Sequence, residues 1–316
     1  MSWIIFQPIY KEAIWGGLNL ATLFRRKLPQ KSSHIAESWE IVDRPNNQSC
    51  VRYKQQKTTL REVILSDGAY VMGPRWDAQD RFPILVKLLD CNDRLSLQVH
   101  PPHEIAKKFG GDAKDEFWYV IETTKEEAQI FAGLKKGVTR EIFIQALDQR
   151  NLESCLHAEK CEKGKSIFIP SGRLHAIDTG NVILEIQKNS TTTFRVYDWD
   201  RPGLDGKPRQ LHIKESLSST NFSDYEPHMH KNLSNAILAT NSSFTVTATT
   251  IEHAGKPLAL RANHCPRLLH VVEGTVFDQN TGAILHIGST ALLPYAESFS
   301  ISTSDVAKVL VTRIHV

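Results

Sequence analysis

The chain has 316 residues, 41% apolar and 23% charged, with a formal net charge of +3. These proportions exclude a disordered chain and allow a substantial buried core in one large or two moderate domains. So small a charge, with no run of basic residues interleaved with aromatics, predicts no nucleic-acid partner. No stretch approaches the roughly 20 apolar residues of a membrane helix. Met1 to Phe6 lacks the basic start and long apolar core of a secretory signal. Cys50, Cys91, Cys155, Cys161 and Cys265 form an odd set with no CxxC spacing. They predict reduced, mostly buried thiols in a cytoplasmic protein.

Short apolar segments with Gly, Pro, Asn or Asp nearby dominate the chain and predict strands. In order they are Val63 to Leu65, Phe82 to Leu89, Leu95 to His100, Phe117 to Ile121, Ser166 to Ile169 and Val182 to Ile186. Helical signals are fewer. His103 to Phe109 is opened by Pro101-Pro102. Thr139 to Leu147 carries Ile142, Phe143, Ala146 and Leu147 at helix spacing behind a Thr139 N-cap, and a second short helix is expected through Leu156. Glu215 to Asn235 is polar and Ser-rich and reads as a linker, which sets a domain boundary near residue 230. More strands follow at Phe244 to Ile251, Leu268 to Val272, Ala291 to Leu293 and Val306 to Val311. Closely spaced strands of this kind predict a mainly β fold, a barrel or sandwich.

The two halves echo each other. Gly164, five residues, then Pro170 recurs as Gly288, five residues, then Pro294, and Trp118 to Glu122 is echoed by Leu269 to Gly274. In the second copy Phe299 stands where His175 would fall and Ala296 replaces Gly172.

The first copy carries the chemistry. Gln98 and His100 are two apart on a predicted strand and share a face. Glu116 stands at the mouth of an apolar run, and His175 follows the Pro170–Gly172 turn. Inward-facing residues of a small barrel converge on one cavity, so Glu116 and His175 are expected on neighbouring strands. Two imidazoles, an amide and a carboxylate make a four-ligand site for a borderline divalent metal such as Zn2+, and no thiolate joins the set. His228-Met229-His230 has ligand-like spacing but no evident partners, and reads as exposed.

Gly164-x5-Pro170-x-Gly172-x2-His175 resembles the second half of the cupin motif. Gln98-Val99-His100-Pro101, Lys114-Asp115-Glu116 and Phe194-Arg195 together resemble type I phosphomannose isomerases, specifically the short bacterial form. Trp15-Gly16-Gly17, Glu37-Ser38-Trp39-Glu40 and Ala132-Gly133-Leu134 match as well, so the resemblance runs from Trp15 to Arg201. It implies two cupin-like jelly-roll β-barrels with a few short helices inserted in the first. Residues 1–230 would be catalytic and 231–316 a degenerate copy. The longer enzymes of the family have a sizeable helical domain, for which this chain has no room.

The resemblance also implies reversible isomerisation of mannose 6-phosphate and fructose 6-phosphate with one Zn2+ per chain. By position it makes Gln98, His100, Glu116 and His175 the metal ligands and Arg195 the catalytic arginine. Ser96, Lys114, Lys87 and Glu185 would line the substrate pocket. The expected partner is a small phosphorylated sugar, and the expected state a monomer or weak homodimer. Aldose–ketose exchange passes through a cis-enediol(ate), which needs a base at carbon and stabilisation of negative charge on oxygen. Arg195, permanently charged, suits the second task, unless Asp198 or Asp200 neutralises it. Glu185, Lys114 and a water on the metal stay open as the base. Ser96, Lys87, Lys114 and Arg94 are the candidates for phosphate. An Fe2+ cupin oxidoreductase and a non-catalytic sugar-binding cupin are the competing readings.

Overall fold

Antiparallel sheets dominate the regular structure of the computed structural model, which describes residues 3–29, 34–231, 234–253 and 255–315. Among the described residues, the larger first sheet has seven strands, in spatial order Ile9–Gly17, Ile35–Ile41, Ile84–Cys91, Asn181–Lys188, Glu116–Thr123, Lys165–Ile169 and His230–Lys231. Facing it are five strands, Leu156–Lys160, Gln129–Leu134, His175–Ile177, Leu97–Val99 and Phe194–Tyr197. Alternation along each strand sends one set of apolar side chains into the gap between the sheets. Leu89, Trp118, Val120 and Ile183 from the first sheet meet Ile130, Ala132 and Ile177 from the second in one buried cluster.

A second, smaller sandwich follows. Ile237–Thr240, Phe244–Glu252, Val306–Ile314, Arg267–Glu273 and Thr290–Leu293 form one sheet; Leu258–Leu260, Phe299–Ser302, Thr275–Asp278 and Ile284–His286 form the other. The two sandwiches stand back to back. Phe117, Tyr119, Leu184 and Ile186, on the outer face of the seven-stranded sheet, share a buried cluster with Val246, Ala248, Leu268 and Leu310. Each Phe, Leu, Ile or Val side chain among them, fully buried, contributes about 1.5–3 kcal/mol. The N-terminal end also crosses over: Ile4 and Leu292 exchange backbone hydrogen bonds of 2.8 Å, and Trp3 stacks on Phe299.

The internal echo is structural. Lys165–Ile169 pairs with Glu116–Thr123 as Thr290–Leu293 pairs with Arg267–Glu273. Gly164 and Gly288 both adopt positive φ, at 86° and 82°. His175 opens one strand and Phe299 opens its counterpart.

Three expectations need correction. Val63 to Leu65 is helical, within Leu60–Val71. Thr59 and Glu62 form a capping box there, and Leu60, Val63, Ile64 and Val71 supply a buried stripe at helix spacing that outweighs the β preference of two branched residues. The stretch expected through Leu156 is a single 3-10 turn, Leu152–Cys155. The supposed linker begins inside a helix, Ile213–Ser219, and includes an edge strand in which His230 and Lys231 pair with Ser166 and Lys165. His103–Lys108 and Arg140–Asp148 are helices as expected, and the Thr139 side chain accepts from the Ile142 amide.

Candidate metal centre and active site

The site is built from both sheets of the first sandwich. On the seven-stranded sheet the register aligns Trp39, Lys87, Glu185 and Trp118 as successive cross-strand neighbours. Glu116 lies two residues before Trp118 and shares its face. On the five-stranded sheet Gln98 is paired with His175 on one side and Arg195 on the other. Ser96 and His100 flank Gln98 two residues either way. Glu116 and His175 were expected on neighbouring strands; they face each other across the gap, because their strands belong to opposite sheets.

His100, Glu116 and His175 converge, with one ligand atom from each lying within 4.8 Å of the others. Glu116 Oε1 is 3.1 Å from His100 Nε2, and Oε2 is 3.9 Å from His175 Nε2. The far sides of both rings are fixed. His100 Nδ1 lies 3.1 Å from the Thr192 carbonyl and His175 Nδ1 2.9 Å from the Arg173 carbonyl. A carbonyl only accepts, so each Nδ1 carries the proton and each Nε2 presents a lone pair. Both Nε2 atoms are buried without a hydrogen-bond partner. Burial first, and then the positive charge of Lys114, hold both imidazoles neutral: His175 is pushed down to about 3 and His100 is also lowered. Burial opposes ionisation of Glu116, but the Lys114 ammonium, at 2.6 Å, outweighs it and holds the carboxyl well below its ordinary range. Two neutral nitrogens aimed at an ionised carboxylate, with the Gln98 amide on the same face, are a donor set that fits a borderline divalent cation.

A second carboxylate sits beside this cluster in a different state. Burial, then the charge of Glu116, raises the Glu185 carboxyl above its usual value. Its Oε1 is 2.9 Å from Lys87 Nζ, which also lies 3.6 Å from Glu37. The Trp118 indole N–H donates to both acids, at 3.1 Å to Glu116 and 3.2 Å to Glu185. Trp118 and Glu37 received no role from the sequence, although Trp118, two residues from Glu116, was within reach of the alternation argument.

Arg195 donates to Ser96 Oγ at 3.3 Å and to the Gln210 carbonyl at 2.8 Å. Neutralisation by Asp198 or Asp200, the alternative to its charge-stabilising role, does not occur. Asp198 is held by Arg201 and Arg209, and Asp200 by Tyr197 and Arg150. Among the described residues Arg195 has no carboxylate partner. Arg94 does not join the site: it binds Asp178 and Glu153 and lies over the Phe131 and Trp199 rings. His228 is exposed, as expected, yet not alone. Its Nδ1 is 2.6 Å from Glu159, which also meets His157 at 3.2 Å.

Two antiparallel sandwiches, the first with a His–Glu–His cluster between its sheets, define a cupin-type protein with a candidate metal centre. Residues 4–134 match the family model for the phosphomannose isomerase type I catalytic domain. The chain is 36% identical over 216 residues to the mannose-6-phosphate isomerase ManA of Bacillus subtilis, covering 68% of this chain and 66% of ManA. A second Bacillus subtilis relative, GmuF, is 34% identical over 230 residues, covering 72% of this chain and 70% of GmuF. The crystal structure of mannose 6-phosphate isomerase from Bacillus subtilis superposes over 100% of both chains, with a TM-score of 0.84 and 27% identity. The chain belongs to the type I phosphomannose isomerase family, and its reaction class is aldose–ketose isomerisation.

Proposed function

We propose that the chain interconverts mannose 6-phosphate and fructose 6-phosphate through a cis-enediol(ate), with one Zn2+ held by Gln98, His100, Glu116 and His175. The carrying observation is the pair of orphaned Nε2 atoms facing one ionised carboxylate. When bound, the metal supplies Lewis-acid polarisation of the sugar oxygens. Arg195, positive and without a carboxylate partner, stabilises the oxyanion that develops as the proton leaves carbon. Glu185 is the group whose proton affinity the surroundings raise, and it takes and returns that proton. Lys114 stays bound to Glu116 and keeps it ionised. Lys87 and Ser96 line the substrate side and offer donors to it.

All of these residues lie within 1–230, so that segment is the proposed catalytic unit and 231–316 its structural support. One chain supplies the whole set, so a monomer or weak homodimer suffices. Five free cysteines suit the reducing cytoplasm. The test is a coupled assay of mannose 6-phosphate consumption before and after chelation, then with Zn2+ restored. Activity that survives complete chelation, or that Zn2+ fails to return, rejects the reading.

A further inference from the structure

The second sandwich lost the ligands of the first but kept an opening between its sheets. The cavity there measures about 290 Å³, near the lower end of the ~300–1,000 Å³ typical of small-molecule sites. Leu258 and Leu260 from one sheet, Thr247 from the other, and Arg261, Arg267 and Arg313 line it. Three features set it apart from an ordinary basic patch.

First, Arg267 and Arg313 are direct cross-strand partners. Like charges in that position are destabilising. Second, among the described residues no carboxylate lies within ion-pair distance of Arg261, Arg267 or Arg313, whereas Arg26, Arg44, Arg61, Arg94, Arg173 and Arg209 are all paired. Third, two buried polar atoms in this one cavity lack a partner: Arg267 Nε and Thr247 Oγ1. Arg267 is only 4% exposed. Its two Nη groups donate to the Arg261 and Glu297 carbonyls, which fixes the guanidinium while leaving its charge uncompensated. Burying such a charge is costly unless an anion completes the site.

We propose that this opening binds the phosphate group of a small phosphorylated molecule, at a site separate from the metal centre. Guanidinium groups match phosphate oxygens in geometry and charge, and the orphaned Thr247 hydroxyl adds a donor. The leucines give the rest of the molecule an apolar wall.

Equilibrium dialysis of the full metal-loaded chain against labelled inorganic phosphate reads the site directly. The Arg261→Gln/Arg313→Gln variant is expected to bind one phosphate fewer per chain, or to bind it roughly tenfold or more weakly, as loss of charge-assisted hydrogen bonds requires. Its kcat should equal that of the unaltered chain. Should the double variant not fold, Thr247→Val, which removes only the orphaned hydroxyl, should weaken the same event by about threefold. A parallel arm with mannose 6-phosphate separates the sources: a second sugar phosphate bound per chain assigns the site to sugar phosphates, and phosphate binding alone assigns it to the free ion. Phosphate binding of unchanged number and affinity in the variants overturns the proposal.

Discussion

Lys87→Met probes the row of buried charges beside the candidate metal centre. Lys87 Nζ is 2.9 Å from Glu185 and 3.6 Å from Glu37; the side chains of Lys87 and Glu185 are 10% and 5% exposed, that of Glu37 23%. Burial alone would lower the lysine pKa, but the nearby carboxylates overcome it and raise the value above the ordinary one. Methionine fills most of the lysine volume and leaves Glu185 with the Trp118 indole at 3.2 Å as its remaining donor. Removing one member of a buried pair costs about 3–5 kcal/mol, because the other charge stays behind. Glu185→Leu should cost less, roughly 1–3 kcal/mol, since Lys87 keeps Glu37. The double variant replaces the pair by apolar groups and should recover most of the loss. Urea denaturation of the metal-free protein, followed by tryptophan fluorescence, gives all three values. A coupling energy of about 2 kcal/mol or more is expected. Additive losses, or a Lys87→Met cost below about 1 kcal/mol, the range of a surface pair, would refute the argument.

Three further predictions follow from other parts of the molecule. Arg195→Ala should lower kcat by roughly 10²–10³ with metal content unchanged; turnover within about twofold of the unaltered chain ends its assignment as oxyanion stabiliser. Gly16→Ala should depress the melting temperature by an amount equivalent to about 1–3 kcal/mol or more, because a Cβ there would meet the His34 carbonyl oxygen and lie 2.5 Å from the Ala36 amide nitrogen; an unchanged melting temperature would contradict that crowding. Burial favours protonated Asp43, but hydrogen bonds from Arg61, Gln48 and the Phe82 amide outweigh it and keep its carboxyl below the ordinary range. Its stabilisation is therefore complete above the unfolded value of about 3.9 and is lost as pH falls through the lower folded value. Asp43→Asn should flatten that acid limb in a melting-temperature series, and a limb of unchanged slope counts against it.

The strands that carry chemistry were readable because period-2 alternation is local. Gln98 and His100 share a face for that reason, and the turn at Pro170 and Gly172 announces His175. The meeting of Glu116 with His175 across opposite sheets was not readable, since strand order is set by contacts distant in sequence. Burial of Lys87 against Glu185 and Glu37 was hidden for the same reason: a lysine in an apolar strand carries no mark of the carboxylates that will face it. Val63 to Leu65 misled because three β-compatible residues in a row conceal a helical stripe visible only over a longer window. Ile213–Ser219 runs into a polar stretch whose composition resembles a linker, though Ser216 and Ser219 are buried.

The seam between the two sandwiches ties the fate of one half to the other. Phe117 packs into that seam and is the immediate neighbour of Glu116; Leu184 and Ile186, in the same seam, flank Glu185. Along both strands, consecutive residues look alternately at the candidate site and at the second sandwich. A loosened contact at Leu310 or Val246 is therefore felt as a displaced acid on the far side of a single layer of backbone.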